Sequence, residues 1–330
     1  MNAITTVASA PIDDFLNDVR AMINPDLSVS DTFVQSATDV LAHVDGIAEI
    51  DEADRAVHLK VALSTLVSGT IDVDRMDYLL RDSHYTGTLY GKYDIDVIIN
   101  ALTLCVGESG GPTLSIGLHR RACQAVDDFL WSRYQLFAQV LNHKTNVILN
   151  ALLAEALPEA IASSSVSRIG HPRDFEEFLE FTDDLVMSSV ISASLRDKNA
   201  SRRMYHRALV GRDLPLYLDR IDVTEMDPVA RDTAIREKVT EYESRLPAAR
   251  DQIRIWPASS ALIKGGGLPF VIDQDKLLGE RRVLPHTVPD AYQIPRWIEQ
   301  GKLPANVAHI HFFVDRQLVC TPSPLVRSEA

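Results

Sequence analysis

Through most of the first 250 residues, apolar positions recur every three to four residues, the period of a helix with one buried face. "PIDDFLNDVRAMI" places Phe15, Val19 and Met22 on one side after an acidic start, and predicts a first helix. "SDTFVQSATDVLAHV" predicts a second, with Ser30–Asp31 as its N-cap and Phe33, Ala37 and Leu41 on one face. "DEADRAVHLKVALSTLVSG" predicts a third, closing near Gly69. A helix over Asp72–Ser83 and another from Asp94 lead into "LTLCVGESGGPTLSIGL", two short β-rich runs around a Gly/Ser/Pro turn, which reads as a hairpin. From Arg120 to Leu157 the pattern is helical without Gly or Pro, long enough to cross a domain as one rod. "PRDFEEFLEFTDDLVMSSVI", "NASRRMYHRALVG" and "DPVARDTAIREKVTEYESRL" predict further helices, the last one charged and exposed.

Beyond Leu246 the period shortens. "QIRIWP", "LPFVID", "RRVLPH" and "HIHFFVDRQLVC" are short β-rich runs, with "DAYQIPRWIEQG" as a helix between them. The chain thus reads as mainly α, in two regions: a helical domain over 1–248 with one short β-hairpin, and a small α+β appendage over 249–330.

Composition narrows the function. The 330 residues are 46% hydrophobic, enough for a sizeable core. The net charge of −13 gives no global attraction to nucleic acid or to an anionic membrane, so phosphate binding needs local Arg and Lys. Three scattered cysteines without a CxxC give no disulfide framework or zinc site, which points to reducing cytoplasm. The N-terminus shows no secretory signal pattern, and no run of 18 apolar residues stands out as a membrane span.

The densest chemistry lies in "TIDVDRMDYLLRDSHYTGTLYGKYD" (70–94). If its first part is helical, Asp74, Tyr78 and Asp82 share one face at i, i+4 and i+8. Asp77 and Arg81 form an ordinary surface pair, and a solvated charged helix accounts for them equally well. A carboxylate–phenol–carboxylate stripe suits that account poorly. Tyr85, Tyr90, Tyr93 and Trp131 read as packing residues. His309 and His311 alternate on a strand and read as structural.

"DVDRMDYLLRDS-x-x-TG" closely resembles the segment that supplies the last metal ligand in the HD-domain dNTP triphosphohydrolases, the dGTPase-like family. Downstream, "DDFLWSRYQLFAQVLNHK" resembles that family's long helix, in which "ARY" is followed by an aromatic and then "HK". Order and spacing agree over roughly residues 50–220. The resemblance implies an HD-like helical bundle that acts on deoxynucleoside triphosphates, releasing deoxynucleoside and inorganic triphosphate. It implies a divalent metal (Mn, Mg, Fe or Zn) with Asp74 as a ligand. Arg75, Tyr78 and Arg133 fall where the family contacts the triphosphate, and Asp82 where it binds the sugar 3′-hydroxyl. His143 and Lys144 resemble positions near effector-nucleotide sites, and oligomeric assembly is implied as well.

Two departures stand out. No His-Asp dipeptide occurs among the ten histidines, and only His43 and His58 precede Asp74. Leu141 stands where the family usually has a tyrosine beside the sugar. The chain therefore resembles the family's C-terminal two-thirds with an incomplete metal site. Three readings remain open: a subunit completed by a partner chain that carries the HD motif, an inactive nucleotide-binding or regulatory protein, and a truncated gene product.

Overall fold

The structure is a computed structural model that describes residues 12–24, 26–108, 111–163, 174–180, 182–196, 200–261, 268–274, 281–285, 292–304 and 306–319. In chain order the helices are α1 (Ile12–Ile23), α2 (Asp31–Leu41), α3 (Arg55–Ser68), α4 (Val73–Thr86), α5 (Ile95–Ile99), α6 (Cys123–Leu136), α7 (Lys144–Ser163), α8 (Phe175–Glu180), α9 (Asp183–Arg196), α10 (Ala200–Leu209), α11 (Pro228–Arg245), α12 (Gln293–Glu299) and α13 (Arg316–Val319). The strands are β1 (Leu102–Glu108), β2 (Pro112–His119), β3 (Leu216–Asp222), β4 (Arg254–Ala261), β5 (Phe270–Gln274), β6 (Arg281–Leu284) and β7 (Asn306–Val314). Helix predominates, as the periodicity predicts. The β content is larger than a hairpin and an appendage, because these strands form two sheets.

Contacts divide the chain into two compact units, neither of which ends at residue 248. The first comprises residues 1–136 and 261–305; the second comprises 137–260 and 306–330. The region beyond Leu246 is therefore not an appendage. It supplies strands to both units.

In the first unit, β1 and β2 form the predicted hairpin, pairing from Leu102↔Leu118 to Glu108↔Pro112. β2 then pairs in parallel with β5, and β5 antiparallel with β6, giving the order β1-β2-β5-β6. Two glycines permit this closure. A Cβ on Gly107 would lie 2.6 Å from the Phe270 ring, and one on Gly117 would lie 2.7 Å from Ile272 Cδ1. The predicted face of α2 meets α3 here: Ala37 and Leu41 pack with Ala56 and Leu59 of α3 and Leu114 of β2.

Local capping explains the helix limits. Ser30 accepts from Phe33 N, and Asp94 from Val97 N. Gly69 closes α3, and Gly87, at φ 67°, closes α4 in the left-handed conformation that favours glycine. The break at Gly69 also bears on membranes. Residues 55–86 are together long and apolar enough to cross one by length and composition, contrary to the sequence expectation. They form two 14-residue helices, however, each shorter than the roughly 20 residues a crossing needs.

The rod predicted over 120–157 is interrupted. α6 ends at Leu136, a π-helical turn spans Phe137–Leu141, and α7 restarts at Lys144. The two compact units part at the same residue. In the second unit, β3, unforeseen in the sequence, pairs antiparallel with β7 in a sheet ordered β3-β7-β4. Ile310 and Phe312 of β7 pack with Tyr242 of α11. Phe313 points the other way, to Ile148 and Leu152 of α7, Val190 of α9 and Met204 of α10. The alternation is that of a strand buried on both faces.

Candidate functional site

The site is built on α4 and on the last two turns of α6, both in the first unit. The Asp72 carboxylate begins α4: Oδ1 accepts from Arg75 N at 2.8 Å, and Oδ2 pairs with the Arg75 guanidinium at 2.6 Å. The same guanidinium donates to Gly69 O at the end of α3. Arg75 is thereby buried and tied to its own helix start. The Asp-x-x-Arg spacing carries this signal, but the sequence reading left Asp72 without a role.

Tyr78, one turn on, hydrogen-bonds the buried Arg133 of α6. Burial pushes the Tyr78 phenol up; Arg133 and Arg75 pull it back, and Asp72 and Asp74 push the same way as burial. Burial also lowers the Arg133 pKa. The neighbouring Arg75 charge adds to that shift, while Tyr78 and Asp72 oppose it. Arg75, Tyr78 and Arg133 thus converge, with Asp72 between them. Asp74 is solvent-exposed beside Tyr78. Asp82 follows one turn after Tyr78 on the same face, half-buried, and takes no part in these bonds.

The convergence has firm supports. Tyr93 Oη donates to Met76 O at 2.6 Å, and its ring meets Phe129 of α6 edge-on at 5.0 Å. Ser132 Oγ donates to Lys92 O at 2.7 Å. These contacts fix the 88–93 loop between α4 and α6. Of the aromatics expected to pack, Tyr93 does so. Tyr85 is 82% exposed, and Trp131 is partly exposed and stacks on Tyr134.

Asp74 has no companions for a metal among the described residues. Among the described residues no group of three or more His, Cys, Asp or Glu side chains is placed to hold an ion. His58 accepts from Leu114 N, and among the described residues neither His58 nor His43 joins Asp74 in such a group. The described residues therefore do not fit a divalent metal site in this chain alone. Two pockets of the first unit lie elsewhere. One, of about 120 Å³, runs between α3 and β2; the other sits at the C-terminal end of α4, among Ser83, His84, Lys92 and Tyr93. Neither is lined by Tyr78 or Arg133.

His143 and Lys144 belong to the second unit. His143 Nδ1 accepts from Thr145 N at the start of α7, and Lys144 Nζ lies 5.7 Å from the Tyr217 ring centre. His309 and His311, also in that unit, turn inward. Tyr217 Oη lies 3.3 Å from His311 Nδ1, while His311 Nε2 and His309 Nδ1 are buried without a hydrogen-bond partner among the described residues.

No protein-family model matches the chain. An uncharacterised protein of Methanocaldococcus jannaschii is 31% identical over 146 residues, which is 44% of this chain and 30% of that protein. YwfO of Bacillus subtilis, also uncharacterised, is 36% identical over 101 residues, 29% of this chain and 21% of its own. The chain spans less than a third of the length of these curated relatives. Among solved structures, a hypothetical protein from Aquifex aeolicus aligns with a TM-score of 0.53 at 22% identity, covering 88% of this chain and 73% of that one. A phosphohydrolase from Bacteroides thetaiotaomicron aligns with a TM-score of 0.54 at 17% identity, covering 92% of this chain and 85% of that one. At such identities the likeness is one of fold.

Proposed function

We propose that this chain provides the nucleotide-gripping wall of an HD-type deoxynucleoside triphosphate triphosphohydrolase, and that another polypeptide supplies the remaining metal ligands. The observation that carries the reading is the convergence of Arg75, Tyr78 and Arg133 beside Asp74. The fold shared with a phosphohydrolase and the motif resemblance over residues 50–220 support it. Arg133 would grip phosphate oxygens through its planar guanidinium, with Tyr78 donating beside it. Arg75, held by Asp72 and Gly69, would act as a fixed positive charge. Asp82 would accept from the sugar hydroxyl. Asp74 would become one metal ligand of the completed complex. The described residues of this chain do not form that site, so no hydrolytic step is assigned to it alone. The same shortage of ligands favours a second reading, in which the chain binds nucleotides without turnover.

Equilibrium dialysis of the purified chain with each dNTP tests the proposal. Binding is expected, and Arg133→Ala should weaken it about tenfold or more, the loss of one or two charge-assisted hydrogen bonds. Arg133→Lys, which keeps the charge but not the fork, should fall between. Triphosphate release should appear only when a polypeptide bearing the HD helices and a divalent metal are both added. Binding without release under any such combination would select the second reading. No dNTP binding, or equal binding by wild type and Arg133→Ala, would end both.

A further inference from the structure

α1 is turned inside out. Its apolar residues Ile12, Phe15, Leu16, Val19 and Ile23 form one stripe along the helix, at the spacing of a core-facing surface. Yet all five are exposed, from 38% at Val19 to 76% at Ile12, while the residues α1 buries are Asp18 and Ala21. The cause is polar docking. The Asp18 carboxylate accepts from Ser30 N at 2.7 Å and Ser30 Oγ at 2.8 Å, and Asp14 accepts from Thr32 Oγ1 at 2.8 Å. These bonds to the start of α2 turn the polar face of α1 inward and leave the apolar stripe facing out.

The largest exposed apolar patch on a monomer is usually about 300–600 Å² and is often functional. Five large side chains at these exposures reach that range from a single helix. Pressing two such stripes together would bury roughly 1,000 Å² in total, the lower edge of specific interfaces.

The charges beside the stripe say what fits it. Asp13 and Arg20 are seven residues apart, nearly two full turns, and so stand on the same flank. The stripe is centred midway between Ile12 and Ile23. In an antiparallel pairing about that centre, Arg20 falls within about 3 Å, along the axis, of Asp13 of the partner subunit. The two-fold repeats the pair, so both ends of the contact match in charge. A parallel two-fold pairing would instead carry the two Asp13–Arg20 flanks to opposite sides of the seam, so that no such pair could form.

We propose that α1 is a self-association surface: two copies of this chain pair antiparallel through Ile12, Phe15, Leu16, Val19 and Ile23, with reciprocal Arg20–Asp13 ion pairs. The contact is small, so the dimer is weak and depends on concentration.

Sedimentation velocity over a concentration series tests it. Wild type should shift from monomer to dimer as concentration rises. Phe15→Glu should abolish the shift without altering the melting temperature, because the side chain is exposed in the monomer. Arg20→Asp should raise the dimer dissociation constant about tenfold or more, since it replaces two attractions by two repulsions. Asp13→Arg/Arg20→Asp should bring it back to near wild type, an outcome that a merely sticky patch would not give. A wild type that stays monomeric throughout, a dimer that survives Phe15→Glu, or a double variant no better than Arg20→Asp would overturn the proposal. So would a large fall in melting temperature for Phe15→Glu, which would mean that another part of the same chain covers the stripe.

Discussion

At the scale of single residues, the protein places charges and titratable groups where burial governs them. His311 is the clearest case. It is 1% exposed, and burial, followed by the nearby His309 and Arg220, pushes its pKa down to about 4 from the ordinary 6.5. His309 is shifted in the same direction, chiefly by burial. The folded state therefore refuses a proton that the unfolded chain accepts. Stability should be unaffected above pH 6.5 and should fall as pH drops from 6.5 towards 4, by no more than about 3 kcal/mol for His311. Asparagine at 311 keeps an acceptor for Tyr217 but does not titrate. Urea unfolding of His311→Asn between pH 7 and pH 4 should give a flatter dependence than wild type, whatever its baseline. An unchanged slope would show that the acid sensitivity arises elsewhere. At the candidate site, Arg75, Tyr78 and Arg133 were singled out by the motif resemblance; spacing alone gave only the Asp74–Tyr78–Asp82 stripe. Asp72 was not, because capping and ion pairing are two uses of one carboxylate, and the sequence shows only that an acid is present.

At the scale of elements, limits set by local chemistry were readable and pairings set by distance were not. Ser30, Asp94 and Gly69 act within a few residues of themselves, so the helix ends they define follow from sequence; Gly87 acts as locally, but the charged pattern of α4 set its expected end at Ser83, a turn too early. β2 meets β5 across some 150 residues of chain, and β3 meets β7 across some 90, which no local pattern encodes. The hydrophobic period of α1 shows that the helix has an apolar face, but not that hydrogen bonds to Asp18 and Asp14 aim that face outward. α12 shows a non-local cap of another kind. Tyr292 at its N-cap makes no side-chain cap bond. The buried Asp127 of α6 reaches it instead, accepting from Gln293 N and Ile294 N, each at 2.8 Å. Asp127→Ala would strand both donors and should lower unfolding stability by about 2–4 kcal/mol; Asp127→Asn, which keeps one acceptor, should cost less. A shift in urea midpoint of the same size for both variants would mean that the carboxylate is not acting as a cap.

At the scale of the whole molecule, the net charge of −13 opposes the ligand that the Arg75–Tyr78–Arg133 cluster is proposed to hold. The two effects differ in range, and salt separates them. The molecular field extends for about a Debye length, about 30 Å at 0.01 M ionic strength and about 8 Å at 0.15 M. The proposed Arg133 contacts would act at hydrogen-bond distance, where the burial of the guanidinium shields them from salt. A metal-free dNTP approaching this chain first meets repulsion, and only then the two guanidiniums. Its association rate should therefore rise as ionic strength increases from 0.01 to 0.15 M, while its dissociation rate changes less. Stopped-flow binding of a fluorescent dNTP in the absence of divalent ions measures both. An association rate that falls with salt would mean that Arg75 and Arg133 dominate the field well outside the site. In that case the acidic surface lies far from α4 and α6, and the cluster attracts triphosphates as well as holding them.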